Sequence, residues 1–462
     1  MIPAMLDAHF SLLNYAFYSK NYHPIIIENE EGITDIGLKY VNNEMCYPAI
    51  LNKKEEKIML KNERKIVDIL IKYSDYLFVL AITILSIYIR NRLLPIVSGD
   101  ANYFLLPWYE EIKNSGGLDA LSKQTGDYCI LYQTLIALFT YLPLKPLVTY
   151  KVISCIFDYL LALACVMVIR ELTENRLYMI WTFVLVVCSP IVIFNSSAWA
   201  QCDSIYATFC VWTIYFCIKE KYSFMFIAYG VALSLKLQAI FLLPFIFIIY
   251  LIKKQFSIIK IFYVPFMMIV LSGVGIIYGR KIWDVFLIFK NQTQAYNSSL
   301  TSNYPGLWAI FSTEMADLNI KYSTAATMIS ICIIGMIFYY LMKKMSNINK
   351  EQILQLAFIF VYIAVLTMPH MHERYGYLYE IFAIMLALLY KRTIIPCIIL
   401  QLITFFTYSS YLFKQEHMLT VLAVINIGIF IYYFWIFFVQ KENEKTEKII
   451  TEKRNRKRSR ST

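Results

Sequence analysis

A small set of polar side chains in this sequence stands at the edges of long apolar runs: Asp100, Glu110, Glu111, Asp127, Gln201, Asp203, Lys236, His370, His372, Glu373 and Arg374. Ionisable groups near membrane depth are costly, so they tend to be paired with one another or functional. Lys236 is the sharpest case, because it interrupts the run Ala232-Leu233-Ser234-Leu235-Lys236-Leu237-Gln238; the plain alternative is a lysine that snorkels to the headgroups. Asp100, in Ser98-Gly99-Asp100, follows an apolar run directly. A carboxylate there is well placed for chemistry on a lipid headgroup, although alone it also reads as a helix N-cap. His370, His372 and Glu373 have the residue types of a zinc site, but no third ligand stands out and Arg374 would repel a cation, so no metal is expected. Trp108, Trp199, Trp283 and Trp308 read as an aromatic belt, with stacking on a sugar ring as the sharper alternative.

The elements that must carry these groups follow from composition. Of 462 residues, 59% are hydrophobic, against about 45–50% apolar in soluble proteins. That excludes a soluble multidomain enzyme, and 32 Phe with 37 Tyr exclude disorder and collagen. The class expected is an all-α, polytopic transmembrane protein. Apolar windows of helical length run at 72–95, 150–169, 178–195, 203–218, 257–278, 323–342, 353–368, 375–390, 393–412 and 418–439, with a longer run at 224–252 broken at Lys236 and Gln238. The run 129–143 is short for a crossing. The net charge of +11 is best read as a topology ruler, since basic residues collect on the cytoplasmic side. The basic tail 441–462 then anchors near anionic lipid, and nucleic acid is not an expected partner because no aromatic residues interleave the run. No CxxC pair occurs among the ten cysteines, so neither disulfides nor zinc is indicated.

Charge parity leaves two topologies, and the one with fewer basic residues outside lays 129–143 in the interface. Arg170, Arg176, Lys219 and Lys221 are then inside with Lys253 and Lys254, while Lys145, Lys151 and Lys236 are outside. About twelve spans result, with both termini cytoplasmic and the protein in a cell membrane, expected to be a bacterial plasma membrane. The first outer loop should hold in-plane helices: Pro107-Trp108-Tyr109-Glu110-Glu111-Ile112 suits an interfacial helix ended by Gly116-Gly117, and Tyr128 to Leu142 suits a second. Three parts are expected: a cytoplasmic extension over 1–65, a transmembrane domain over 66–440 and the tail over 441–462. Residues Ala4 to Ile50 resemble a fragment of the activator proteins of 2-hydroxyacyl-CoA dehydratases, without a nucleotide-binding loop and without partner cysteines for Cys46.

Five stretches resemble the GT-C superfamily of integral-membrane glycosyltransferases: Ser98-Gly99-Asp100; Asp127-Tyr128 with Leu131-Tyr132; Ala198-Trp199-Ala200-Gln201-Cys202-Asp203-Ser204; Leu235-Lys236-Leu237-Gln238-Ala239-Ile240-Phe241; and Met371-His372-Glu373-Arg374-Tyr375. Two departures are visible. No prolines follow Asp127-Tyr128, and Ala200 stands where that family commonly has glycine. The resemblance implies inverting sugar transfer from a polyprenyl- or dolichyl-phosphate carrier, without a cofactor, by a hexosyltransferase. It implies Asp100 as general base, Arg374, Lys236 and His372 at the donor phosphate, and Asp127, Tyr128, Gln201, Asp203, Glu373 and Trp108 at the sugar or acceptor, with Asp127 and Asp203 also able to orient the cations. The partners implied are the lipid-linked sugar, a glycan, lipid or protein acceptor, and membrane lipid. A flippase or transporter of lipid-linked sugars, and a polymerase or ligase using the same carriers, are the alternatives. A transporter predicts polar residues across the midplane and an internal repeat; the sequence suggests neither.

Overall fold

Apolar segments without water to satisfy their backbone must close their hydrogen bonds internally, which favours helices. The computed structural model describes residues 39–41, 44–46, 61–294, 299–311, 316–414 and 418–440, and these are almost entirely helical. The chain divides into two compact units, Met1–Ser74 and Asp75–Thr462. In the first, Lys39–Val41 pairs antiparallel with Glu44–Cys46, Lys39 facing Cys46. Most of the segment resembling the activator proteins lies outside the described residues, as does the basic tail.

Every apolar window of the sequence is helical over most of its length. Among the described residues six helices are long and apolar enough to cross a membrane: Glu63–Leu93, Pro146–Leu172, Lys321–Lys344, Lys350–Thr367, Lys391–Phe413 and Leu419–Val439. Arg176–Cys188 and Pro190–Ala198 make a seventh if the pair, bent by 46° at Ser189, is counted as one span. Pro190 explains the bend, since it has no N–H to continue the ladder. The remaining apolar helices are shorter: Ile130–Phe139, Asp203–Ile218, Tyr222–Leu235, Leu237–Lys253, Ile258–Leu271 and Tyr377–Leu389. The chain is thus a helical protein with membrane-length apolar helices. Its polar breaks, Lys236 above all, fall between helices.

Helix association in lipid relies on close packing and polar contacts rather than on the hydrophobic effect. Lys350–Thr367 is the central helix, with every side chain from Ile353 to Thr367 buried. Gly230 shows how closely helices meet: a Cβ there would come within 3.0 Å of the Val264 carbonyl oxygen. Two polar contacts deep in the packing were not anticipated. Arg90 donates through Nε (3.2 Å) and Nη2 (3.0 Å) to Asp158 Oδ2, which also accepts from Ser196 Oγ at 2.6 Å. Glu380 accepts from Thr404 and from Gln401 Nε2 (3.4 Å), and Gln401 in turn accepts from Ser189 Oγ (2.8 Å). Ionisable groups are therefore not confined to one end of the helices, a correction to the sequence reading.

The helix ends sort into two sets. Lys219 and Lys350 both reach Glu171 (3.2 and 3.8 Å), Lys253 reaches Glu220 (2.7 Å), and Arg176 reaches Asp75 (3.1 Å). Pairs with at least one exposed partner stabilise little, but they mark one common end for helices that each run away from it. Lys151 belongs to the opposite end. It is fully buried, and its Nζ donates to the carbonyls of Leu93 (3.1 Å), Leu94 (3.0 Å) and Ile96 (2.6 Å). These carbonyls lie at and just past the C-terminal end of Lys61–Leu93, where a cation is electrostatically favoured. The segment that follows carries Asp100.

Candidate functional site

The site forms where three irregular segments converge. The first is Ser98-Gly99-Asp100. Ser98 Oγ donates to the Trp199 carbonyl (2.9 Å) and accepts from the Ala101 N–H (3.1 Å), which ties this turn to the second segment. The side chain of Asp100 caps no helix. The second segment, Phe194–Gln201, contains a π-turn over Phe194–Ala198, an irregularity often found at functional sites. Its Ala200 lies at φ +66, in the left-handed region that favours glycine. The third segment is Met368–Gly376. Met371–His372 pairs in parallel with Thr301–Ser302, the Glu373 N–H donates to the Ser302 carbonyl (3.1 Å), and the His370 ring is held by the Ser299 carbonyl and Ser323 Oγ. His370 is thus engaged in seating this loop.

Asp100 is the meeting point. Its Oδ2 accepts from Gln201 Nε2 (2.7 Å) and Trp199 Nε1 (3.0 Å) and faces Arg374 Nη1 at 3.4 Å. Its Oδ1 accepts from the Tyr411 hydroxyl at 2.5 Å, and that hydroxyl accepts from the Asp100 N–H at 3.0 Å. The Tyr411 ring stacks on Trp199, centroids 4.5 Å apart and 15° between planes, and the Arg374 guanidinium lies over the same indole at 5.5 Å. Beside this cluster, Asp203 accepts from Asn195 Nδ2 (2.8 Å) and pairs with Lys236 Nζ.

Burial sets the electrostatics. Burial opposes charge on Lys236 and Arg374, yet the carboxylates beside them prevail and hold both pKa values above the usual range: Asp203 for Lys236, Asp100 and then Glu373 for Arg374. Both cations keep their charge. Burial, with Arg374 and Lys236 nearby, pushes His372 down to about 3, so it is a neutral imidazole. Burial pushes Glu373 up to about 7. The Asp100 side chain is 19% exposed and that of Asp203 1%; a reactant can reach the first and not the second.

The structure therefore unites Asp100, Gln201, Asp203, Lys236, His372, Glu373 and Arg374. Asp203 has a donor on each oxygen, and its side chain is 1% exposed, which suits orienting Lys236. Trp108, Asp127 and Tyr128 sit apart from this network, on the stretch between helices Lys61–Leu93 and Pro146–Leu172. Trp108 packs edge-on to Tyr128 (4.9 Å), over Gly126, where φ is +50 and a Cβ would fall 2.2 Å from the indole. The Tyr128 hydroxyl bonds to that of Tyr150 (2.6 Å), and the Asp127 carbonyl accepts from Gln292 Nε2 (2.6 Å). Tyr128 comes nearest the charged cluster, through Tyr132 and its hydrogen bond to Cys202. Trp199 is not a belt residue but is fully buried. Along with Tyr411 and Asn195, it is a site residue that the sequence did not single out for this role.

No family model matches this sequence, and no curated protein is significantly similar to it. The reading of the site rests on its own chemistry. One further feature bears on it: an apolar groove of about 280 Å³, lined by Tyr229, Leu233, Ile240, Leu243, Ile261, Phe262, Val264 and Pro265. Leu233 and Ile240 stand three residues before and four after Lys236, and the side chains of Ile240 and Phe262 are exposed.

Proposed function

We propose that this chain is an inverting membrane glycosyltransferase. It transfers a hexose from a polyprenyl-phosphate carrier to a hydroxyl of a glycan, lipid or protein acceptor. The observation that carries the reading is one reachable carboxylate, Asp100, paired with Arg374 beside a second buried cation, Lys236. In the transfer the acceptor oxygen bonds to the anomeric carbon as the carbon–oxygen bond to phosphate breaks. The acceptor's proton goes to Asp100, and the bonding pair leaves on the phosphate. Three donors occupy Oδ2 of Asp100 and one occupies Oδ1, so Oδ1 keeps a lone pair for the acceptor hydroxyl. Charge builds on the departing phosphate, where fixed cations in a dry site stabilise it most. The apolar groove beside Lys236 suits an isoprenoid chain, and Asp127, Tyr128 and Trp108 are assigned to the acceptor side. Incubation with a panel of polyprenyl-phosphate hexoses tests the activity, one donor being expected to lose its sugar. If none does in a correctly inserted protein, the reading fails. With the donor identified, Arg374→Lys should lower kcat by about 10²-fold, because a point charge cannot replace a bidentate fork stacked on an indole. Unchanged kcat would remove Arg374 from the phosphate.

The proposal includes about twelve spans, counting the shorter helices, with both termini cytoplasmic in a bacterial plasma membrane. It is supported by the ion pairs that gather Lys219, Lys253 and Lys350 at the end opposite Lys236; that basic end is assigned to the cytoplasm. A cysteine at position 236 should then be labelled from outside only. Labelling from the cytoplasm alone would reverse the orientation. A transporter reading draws on Arg90, Asp158 and Glu380, which lie within the helices. Arg90 and Asp158 engage each other, Glu380 engages helix side chains, and all three are enclosed, which favours a packing role.

A further inference from the structure

Each cation of the site already has a carboxylate. Lys236 pairs with Asp203, and Arg374 faces Asp100. Glu373 is a third carboxylate against two cations, so with Glu373 ionised and His372 neutral the cluster carries one net negative charge. Glu373 is also differently placed from the other two. Its side chain is 3% exposed; Arg374 Nη1 lies 3.7 Å from Oε1, and His372 Nδ1 lies 3.9 Å from Oε2. Those contacts are within electrostatic reach but beyond hydrogen-bond length. Asp100 faces it from the first outer loop, Asp203 from the start of helix Asp203–Ile218, and Tyr411 from helix Ile394–Phe413; Lys236 lies behind Asp203. No side-chain hydrogen bond to Glu373 forms among the described residues.

A sugar phosphodiester brings one more negative charge into this enclosed space. Repulsion there is weakly screened, because both solvent and salt are largely excluded. Removing charge from Asp100 or Asp203 would forfeit direct hydrogen bonds to each. Neutralising Glu373 forfeits no hydrogen bond from another side chain, only the contact with its own backbone N–H. We infer that an anionic phosphate enters this site together with one proton, which Glu373 takes up, its carboxyl becoming a neutral donor to a phosphate oxygen. The inference rests on the phosphate-carrier reading above and gives Glu373 a role on the donor side. Because burial already raises Glu373 to about 7, the proton costs little near neutral pH.

The sign follows from linkage. Below about pH 7 the carboxyl is already protonated, so binding takes up little and affinity is flat. Above it, each bound anion draws a proton in, and affinity falls by up to about tenfold per pH unit. His372, held neutral to about 3, adds nothing in that window.

The test uses the full chain in detergent and a methyl phosphodiester of a polyprenol. This ligand keeps a single charge at every relevant pH and cannot donate a sugar. Titration calorimetry in two buffers of different ionisation enthalpy counts the protons. Uptake of about one proton near pH 8 and of nearly none near pH 6 is expected, with Glu373→Gln binding at a pH-independent affinity and no uptake. Binding by the wild type without uptake near pH 8 overturns the inference and leaves the phosphate site standing. Uptake that persists in Glu373→Gln, as His372 would produce, overturns it as well. Absence of binding at every pH sinks the phosphate site and this inference together. Should Glu373→Gln fail to fold, the wild-type proton count at the two pH values still decides.

Discussion

Asp100→Asn should lower sugar transfer by about 10²- to 10⁴-fold, the range of a lost general base, while the protein still inserts and folds. The substitution suits the site sterically. An amide can keep its oxygen toward Gln201 Nε2 and Trp199 Nε1 and turn its NH₂ toward the Tyr411 hydroxyl, whose oxygen accepts from the Asp100 N–H and keeps a second lone pair. What disappears is the proton acceptor and the charge opposite Arg374. Release of polyprenyl phosphate from the donor identified by the panel is the measurement. Full activity in the amide variant would remove Asp100 as the base.

The largest expected loss of stability lies away from the chemistry. Arg90→Met leaves the Asp158 carboxylate, fully buried, without its cation. Stranding one partner of a buried pair typically costs about 3–5 kcal/mol, and replacing both partners by apolar residues restores most of it. Arg90→Met should therefore unfold at a distinctly lower temperature in detergent, and adding Asp158→Leu should recover the larger part. A single variant as stable as the wild type would mean that the pair holds nothing together. The cycle also addresses the transporter alternative: a conduit would lose transport in the stable double variant, whereas a packing pair would not.

Much of the fold was legible because the signal is local. A run of Leu, Ile, Phe and Val in a membrane has helix as its outlet, so the windows became helices, and Lys236 fell at a break because polar residues interrupt the apolar pattern there. The glycines at 116 and 117, with φ of +90 and +68, end the helix Leu106–Asn114 as read. Pairings between distant segments were illegible. Arg90 and Asp158 are 68 positions apart; Arg90 looks like a helix-end charge and Asp158 like a lone carboxylate within an apolar window until packing brings them together. Trp199 and Tyr411 carry no polar signal, because aromatic residues near a membrane surface are usually belt residues; their polar atoms matter only through a carboxylate on another segment. The span count was under-determined for a related reason. Half-length helices such as Tyr377–Leu389 have the composition of a crossing without its length.

The groove beside Lys236 has a consequence for kinetics. Its walls at Ile240 and Phe262 are exposed rather than sealed inside the protein, and under the proposed function they face hydrocarbon. A carrier lipid of the proposed kind would meet them by sliding within the leaflet, so its encounter rate would follow mole fraction in the bilayer and not bulk molarity. Apparent KM values taken in detergent would then track micelle dilution. Values taken in vesicles of fixed lipid composition would compare like with like.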